Sequence, residues 1–191
     1  ADRVRKRPGV IFGPDGIEGC EHSVFEILSN SIDEAREGFG DEILVTRHAD
    51  GSIEVEDFGR GIPVDYNEAE GRYNWELVFC ELYAGGKYNN GEADGYEYSL
   101  GLNGLGLCAT QYSSAWMEVE IYRDGKESLL HFQKGENVGG LEQKDCRRKK
   151  TGTKIRWLPD LEVFTDIDIP AEYYRDTLKR QAVVNSGLRF W

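Results

Sequence analysis

Residues 41–63 read DEILVTRHADGSIEVEDFGRGIP, and the fold follows from this stretch. Apolar and polar residues alternate on either side of Asp50-Gly51, the pattern of two half-buried strands joined by a tight turn. The spacing predicts a β-hairpin that pairs residues 43–48 with 52–58. Upstream, Val24, Phe25, Leu28, Ile32 and Ala35 recur at helical spacing within residues 19–36, and Gly38 stands ready as a C-terminal cap. Downstream, residues 75–83 predict a second helix ending at Gly85-Gly86. Residues 87–106 are rich in Gly, Asn and Tyr with few aliphatic anchors, which predicts a mobile loop. A short helix starts at 104–106 and carries Leu107, Ala109 and Gln111. Strands follow at 117–123, 128–133 and 153–158, then a helix over about 171–185 behind Pro170, and an edge strand at 188–191. Strands adjacent in sequence favour an α+β layer sandwich over a strictly alternating Rossmann arrangement.

Hydrophobic residues make up 39% of the 191 and aromatics 12%, enough to bury a sizeable core. Thirty-five acidic against 23 basic residues leave a net charge of −12, which disfavours gripping nucleic acid over the general surface. A local phosphate pocket built from backbone N–H groups remains compatible with that field. Cys20, Cys80, Cys108 and Cys146 are scattered without metal-like spacing and read as reduced cytosolic thiols. No apolar run of membrane length and no signal-peptide pattern occurs. The chain opens on ADRVRKRPG without Met and reads as trimmed.

Three clusters carry chemistry. His22, Glu26, Asn30 and Asp33 or Glu34 share one helix face. Asn has poor helix propensity and needs a reason to sit there. A carboxylate and an amide oxygen one turn apart suit orienting a water and ligating Mg²⁺, although a solvated face is the plainer reading of such a helix. Asp57-Phe58-Gly59-Arg60-Gly61-Ile62-Pro63 places a carboxylate at a strand end before two glycines. A tight turn explains that alone, and the floor of a pocket admitting a flat ring explains it as well. Gly101-Leu102-Asn103-Gly104-Leu105-Gly106 runs into a helix and is an anion site in principle. It matches neither the dinucleotide fingerprint nor a Walker loop.

Taken together, E-x-x-x-N, D-x-G-x-G and G-x-x-G-x-G in this order resemble the GHKL (Bergerat-fold) ATPases. Within them the chain is most similar to the ATPase domains of DNA gyrase B and of its paralogue, the E-type subunit of topoisomerase IV. Arg5-Lys6-Arg7-Pro8-Gly9, Ala84-Gly85-Gly86-Lys87, Thr151-Gly152-Thr153 and Leu161-Glu162 with Phe164-Thr165 extend the match along the whole chain. The resemblance implies a two-layer α/β sandwich, a mixed, mainly antiparallel sheet with helices on one face. It implies one ATPase domain over residues 1–191, an ATP lid at about 87–106, and the family's dimer arm, transducer and later domains outside the chain.

The resemblance also implies roles. Glu26 would be the general base, His22 its support and Asn30 the Mg²⁺ ligand. Asp57 would receive the adenine amino group with Thr153, between Gly61 and apolar walls of Ile27, Val55, Ile62 and Ile155. Lys87 and the 101–106 backbone would hold the phosphates of ATP, and Tyr96 would touch the nucleotide. Glu34, Arg60 and Pro63 would form the pocket rim. Asn103, Leu100, Phe58 and Leu129 depart from the family's usual residues, Leu129 at a position where many members contact coumarin antibiotics through Arg. The implied function is ATP binding and hydrolysis in a cytoplasmic type II topoisomerase that changes DNA topology. Its partners would be a second B-type subunit, an A-type subunit and DNA; the isolated chain would be a weakly active monomer open to ATP-competitive inhibitors. A nucleotide-gated GHKL module of the chaperone or mismatch-repair kind is the alternative.

Overall fold

The hairpin forms where the alternation places it, β1 (Glu42–Arg47) pairing antiparallel with β2 (Ile53–Asp57) so that Val45 faces Val55. The computed structural model describes residues 1–82, 106–147 and 149–191. The expected lid, with Lys87, Tyr96, Gly101, Leu102, Asn103, Gly104 and Leu105, lies outside them except for Gly106.

β2 continues into one mixed sheet through β5 (Ser114–Arg123), β6 (Lys126–Gln133), β7 (Glu136–Asn137), β8 (Glu142–Asp145), β9 (Gly152–Pro159) and β10 (Arg189–Phe190). Its order is β10-β1-β2-β9-β5-β6-β7, with β8 also paired to β6. All pairs are antiparallel except β10 with β1, the edge strand anticipated at 188–191. Register aligns the inward residues across four strands. Val55, Ile155, Val119 and Leu130 form one buried row, and Ile53, Trp157, Met117 and Phe132 the next. The opposite face carries Glu54, Arg156, Glu118 and His131, then Glu56, Lys154, Glu120 and Leu129. Charges of opposite sign meet across it, as where Lys154 Nζ lies 2.9 Å from Glu120, so this face can remain open to water.

Helices close the apolar face. α3 (Ile17–Arg36) packs on β1 and β2, and α5 (Gly106–Tyr112) fills the space between α3 and β5. α6 (Ala171–Val184) docks on α3, where Tyr173 donates its hydroxyl proton to the Glu21 carbonyl oxygen at 3.0 Å. Among the described residues no helix is long and apolar enough to cross a membrane, and all four cysteines are free thiols.

Two features differ from the sequence expectation. The second helix, α4 (Asn74–Cys80), stops short of residue 83 because Glu81 adopts extended backbone. Short pieces also appear that are below the length at which periodicity is readable: α1 (Asp2–Lys6), α2 (Pro8–Phe12), the pair β3 (Tyr66–Asn67) and β4 (Arg72–Tyr73), and β7 and β8.

α1 and α2 are held by tertiary contacts rather than by helix propensity. The Arg5 guanidinium donates to Asp160 Oδ2 at 2.6 Å, to Glu162 at 3.2 Å, and to the carbonyl oxygens of Tyr112 and Ser114. Lys134 Nζ reaches the same two carboxylates at 3.1 and 2.7 Å. Burial pushes the Asp160 carboxyl up, but Arg5, the Glu162 N–H and Lys134 outweigh it and hold it below its ordinary value. A depressed carboxyl stabilises the fold above its unfolded pKa and loses that contribution as pH falls. Asp160→Asn should therefore lower stability by about 1–3 kcal/mol at pH 7. The deficit should begin to shrink near pH 4, where the unfolded parent protonates, and vanish as pH falls through the depressed native pKa. Urea unfolding of both proteins at the two pH values measures this, and a deficit independent of pH would remove the charge from the account.

Candidate nucleotide site

α3 delivers its functional face along a gradient from water to core. The His22 side chain is 46% exposed and Glu26 35%, whereas Asn30 is 6% exposed and Glu34 2%. Spacings of four residues stack these groups one turn apart. His22 Nε2 lies 2.9 Å from Glu26 Oε1, and the carboxylate, an acceptor, places the proton on that nitrogen. The other oxygen, Oε2, lies against the start of α5. A Cβ on Gly106 would stand 2.7 Å from it, so a larger residue there would push the carboxylate aside.

One turn further in, Asn30 Oδ1 is buried without a hydrogen-bond partner among the described residues. A bare buried carbonyl oxygen is costly unless something binds it, and a hard cation suits it. Among the described residues no group of three or more His, Cys, Asp or Glu side chains could hold a metal alone. That donor set fits a cation that takes one or two protein oxygens and the rest from phosphate and water.

Asp57 ends β2 directly beneath α3. Ser31 donates its hydroxyl proton to Oδ2 at 2.6 Å, and the Gly59 and Thr153 N–H groups donate to Oδ1 at 3.0 and 3.4 Å. Burial pushes its pKa up to about 6, with Glu34 adding to the rise and the three donors opposing it. Ile62 N–H donates to Thr153 Oγ1 at 3.1 Å, which leaves the hydroxyl proton of Thr153 available beside Asp57. Gly61 turns the chain here at φ 86, and its carbonyl oxygen accepts from Arg123 Nη1 at 3.0 Å. Ile27, Val55, Ile62 and Ile155 are each buried, and Pro63 is buried beside them. Pocket-wall and core roles coincide for these side chains.

Glu34 and Arg60 pair through several hydrogen bonds, including Arg60 N–H to Glu34 Oε2 at 2.9 Å. The expected rim pair therefore sits deeper than a rim, with Arg60 only 13% exposed. The Phe39 ring covers the Arg60 guanidinium at 4.2 Å. Phe58 is half-buried with Lys150 Nζ 5.6 Å from its ring, and Leu129 faces Glu120 on the open side of the sheet.

The structure thus gathers Glu26, His22, Asn30, Gly106, Asp57, Gly61, Ile62 and Thr153 around the junction of α3, α5, β2 and β9. Ser31, Arg123 and Phe39 were not anticipated. A serine in mid-helix directly after Asn30 was the available signal for Ser31; nothing in the sequence pointed to the other two.

Residues 17–163 match the family model described as histidine kinase-, DNA gyrase B- and HSP90-like ATPase. The chain belongs to this ATPase family. The DNA gyrase B protein of Synechocystis is 41% identical over 187 residues, covering 97% of this chain and 17% of that protein. The Thermotoga maritima gyrase B protein is 41% identical over 97% of the chain and 29% of its own length. The B-type subunit of DNA topoisomerase 4 from Staphylococcus epidermidis is 43% identical over 85% of the chain and 24% of its own length. The chain therefore spans less than a third of each of these relatives. The 43K ATPase domain of Thermus thermophilus gyrase B, solved with an aminocoumarin, superposes with a TM-score of 0.85 at 34% identity. That match covers 99% of this chain and 47% of the other. Sequence and fold place ATP as the ligand of this ATPase-family site.

In the free protein the Asp57 carboxyl should titrate near pH 6. Because its folded pKa is raised, the folded state binds the extra proton, and stability falls as pH rises from about 4 through 6. This contribution is on the order of 2–3 kcal/mol. Carbon-13 carboxyl NMR reads the midpoint directly, and adding an adenine nucleotide should move it down. A midpoint near 4 in the free protein would mean that burial does not govern this group.

Proposed function

We propose that the chain is the ATP-binding and ATP-hydrolysing domain of a bacterial, cytoplasmic type II topoisomerase B-type subunit, of the gyrase B or topoisomerase IV kind. The observation that carries this reading is the 41% identity to gyrase B over 97% of the chain, joined to a Glu26 carboxylate set one turn from the orphaned Asn30 oxygen. In the intact protein ATP binding would clamp DNA between two B-type subunits working with an A-type subunit, and hydrolysis would reset strand passage. Residues 1–191 would form one ATPase domain, monomeric by itself. Its acidic surface agrees with DNA being gripped elsewhere in the protein.

Each described residue has a task. Asp57 and Thr153 read the adenine edge, with the buried aliphatic side chains on either side excluding water. Glu26, held by His22, accepts a proton from the attacking water. Asn30 Oδ1 would hold Mg²⁺, which when bound draws together and neutralises phosphate oxygens. Lys87 and the Gly101–Gly106 segment would take the phosphates, Tyr96 the nucleotide, and an inhibitor competing with ATP would occupy the same pocket. Phosphoryl transfer to water asks the protein mainly for positioning and charge, which matches a site with one base and many fixed donors.

Glu26→Ala in the full-length protein should abolish turnover while leaving ATP affinity within about threefold, because a general base acts in the transition state. Steady-state hydrolysis and calorimetry measure the two effects; unchanged turnover would remove Glu26 from the mechanism, whereas a parent that binds ATP without any turnover would leave a nucleotide-gated module. Asp57 tests base selection separately. GTP presents a carbonyl oxygen to this carboxylate, so ATP should bind at least about tenfold more tightly. Asp57→Ala should weaken ATP and narrow the preference. Equal ATP and GTP affinities in the parent would show that Asp57 does not read the base.

A further inference from the structure

We propose that Phe12 is a positioning residue that holds the His22 imidazole on Glu26, making the N-terminal helix pair α1–α2 part of the active-site support. The proposal rests on the reading of Glu26 as the general base and adds to it a residue outside α3.

Nearly half of the His22 side chain reaches solvent. Its ring borders a cleft of about 390 Å³ between α3 and α6, lined also by Glu18, Glu21, Phe25, Tyr173 and Arg180. An imidazole so placed has more than one staggered rotamer within reach, and Glu18 and Glu21 offer competing acceptors on the cleft side. The rotamer seen here brings Nε2 to 2.9 Å from Glu26 Oε1. Something other than the hydrogen bond must favour it, because water and neighbouring carboxylates can satisfy the same N–H.

Phe12 supplies the wall. Its ring is 3% exposed and meets the imidazole edge-on, centroids 6.2 Å apart at an interplanar angle of 62°. Behind it stands Phe164, itself 1% exposed, with ring centroids 5.5 Å apart. An edge-to-face aromatic contact of this kind shifts a rotamer population by roughly 2- to 10-fold. Phe12 is the last residue of α2, which opens on Pro8 and ends at Gly13, with φ 84. α1 before it is fastened by Arg5 to Asp160 and to the carbonyl oxygens of Tyr112 and Ser114. The wall packs on α3 and is also anchored, through Arg5, beyond the end of β9 and at the end of α5. A loss of aromatic contact at position 12 would free the ring to turn into the cleft, and Glu26 would lose its donor.

A double-mutant cycle in the full-length protein tests this. Phe12→Leu should lower kcat about 3- to 10-fold with the KM for ATP held within about twofold, and Phe12→Tyr, which keeps the ring edge, should restore most of the rate. In a His22→Ala background Phe12→Leu should have no further effect on kcat, since both changes remove one interaction. Additive losses, or a Phe12→Leu kcat equal to the parent's, would overturn the proposal. If Phe12→Leu does not fold, Phe12→Met fills a similar volume and is read in the same cycle. Glu26→Ala run alongside separates the two failures: unchanged turnover sinks the general-base reading, whereas turnover lost there with an additive cycle sinks only the role of Phe12.

Discussion

A carboxylate closed off from water, Asp57, joins the helix layer to the sheet. Buried charge is tolerated only when donors surround it, and here Ser31 on α3, Gly59 after β2 and Thr153 on β9 supply them. The Ser31 bond has a geometric consequence. It pins the rotation of α3 about its axis, and Asn30, one residue earlier, and Glu26, one turn earlier, take their directions from that rotation. Under the proposed function, base recognition and hydrolysis would both depend on this one relation between a helix and two strands. The raised pKa of Asp57 marks what this costs, since the same burial disfavours the ionised carboxylate that the proposed base selection would use.

The gradient of exposure along α3 separates the chemistries in space. Water reaches the His22 and Glu26 end, where the proposed nucleophilic water would arrive, and is largely excluded from Asn30 inward. Close backbone approach sharpens the arrangement. Gly106 brings α5 against the Glu26 carboxylate, and Gly61 lets the chain turn under Arg123 at the edge of the base pocket. Under the proposed function a net charge of −12 is compatible with binding a polyanion because backbone N–H groups and Lys87, not the general surface, would meet phosphate.

The sheet shows a division of labour between its faces. One is apolar and closed by helices; the other is a lattice of opposite charges that is stable in water. The N-terminal helices are too short to persist alone, and the Arg5, Lys134, Asp160 and Glu162 network fixes them to the sheet end. Through Phe12 that fixing reaches His22.

By itself the sequence determined the longer elements and which residues share the face of α3. Period-two alternation around Asp50-Gly51 gave the hairpin to within a residue or two, and helical spacing gave α3, because both patterns are local and repeat over many residues. The spacing of His22, Glu26, Asn30 and Glu34 put them on one face for the same reason. The motif order then identified the family, since three weak signals in a fixed order are specific together. Tertiary structure alone decided the burial of the Glu34–Arg60 pair, the Ser31 donor from α3 to Asp57, the Arg123 bond to Gly61 and the edge contact of Phe12 with His22. These join residues 10 to 62 positions apart in the chain, through side chains whose local sequence has no periodicity to read. Which groups meet was settled by sheet register and helix rotation, and those are properties of the packed whole.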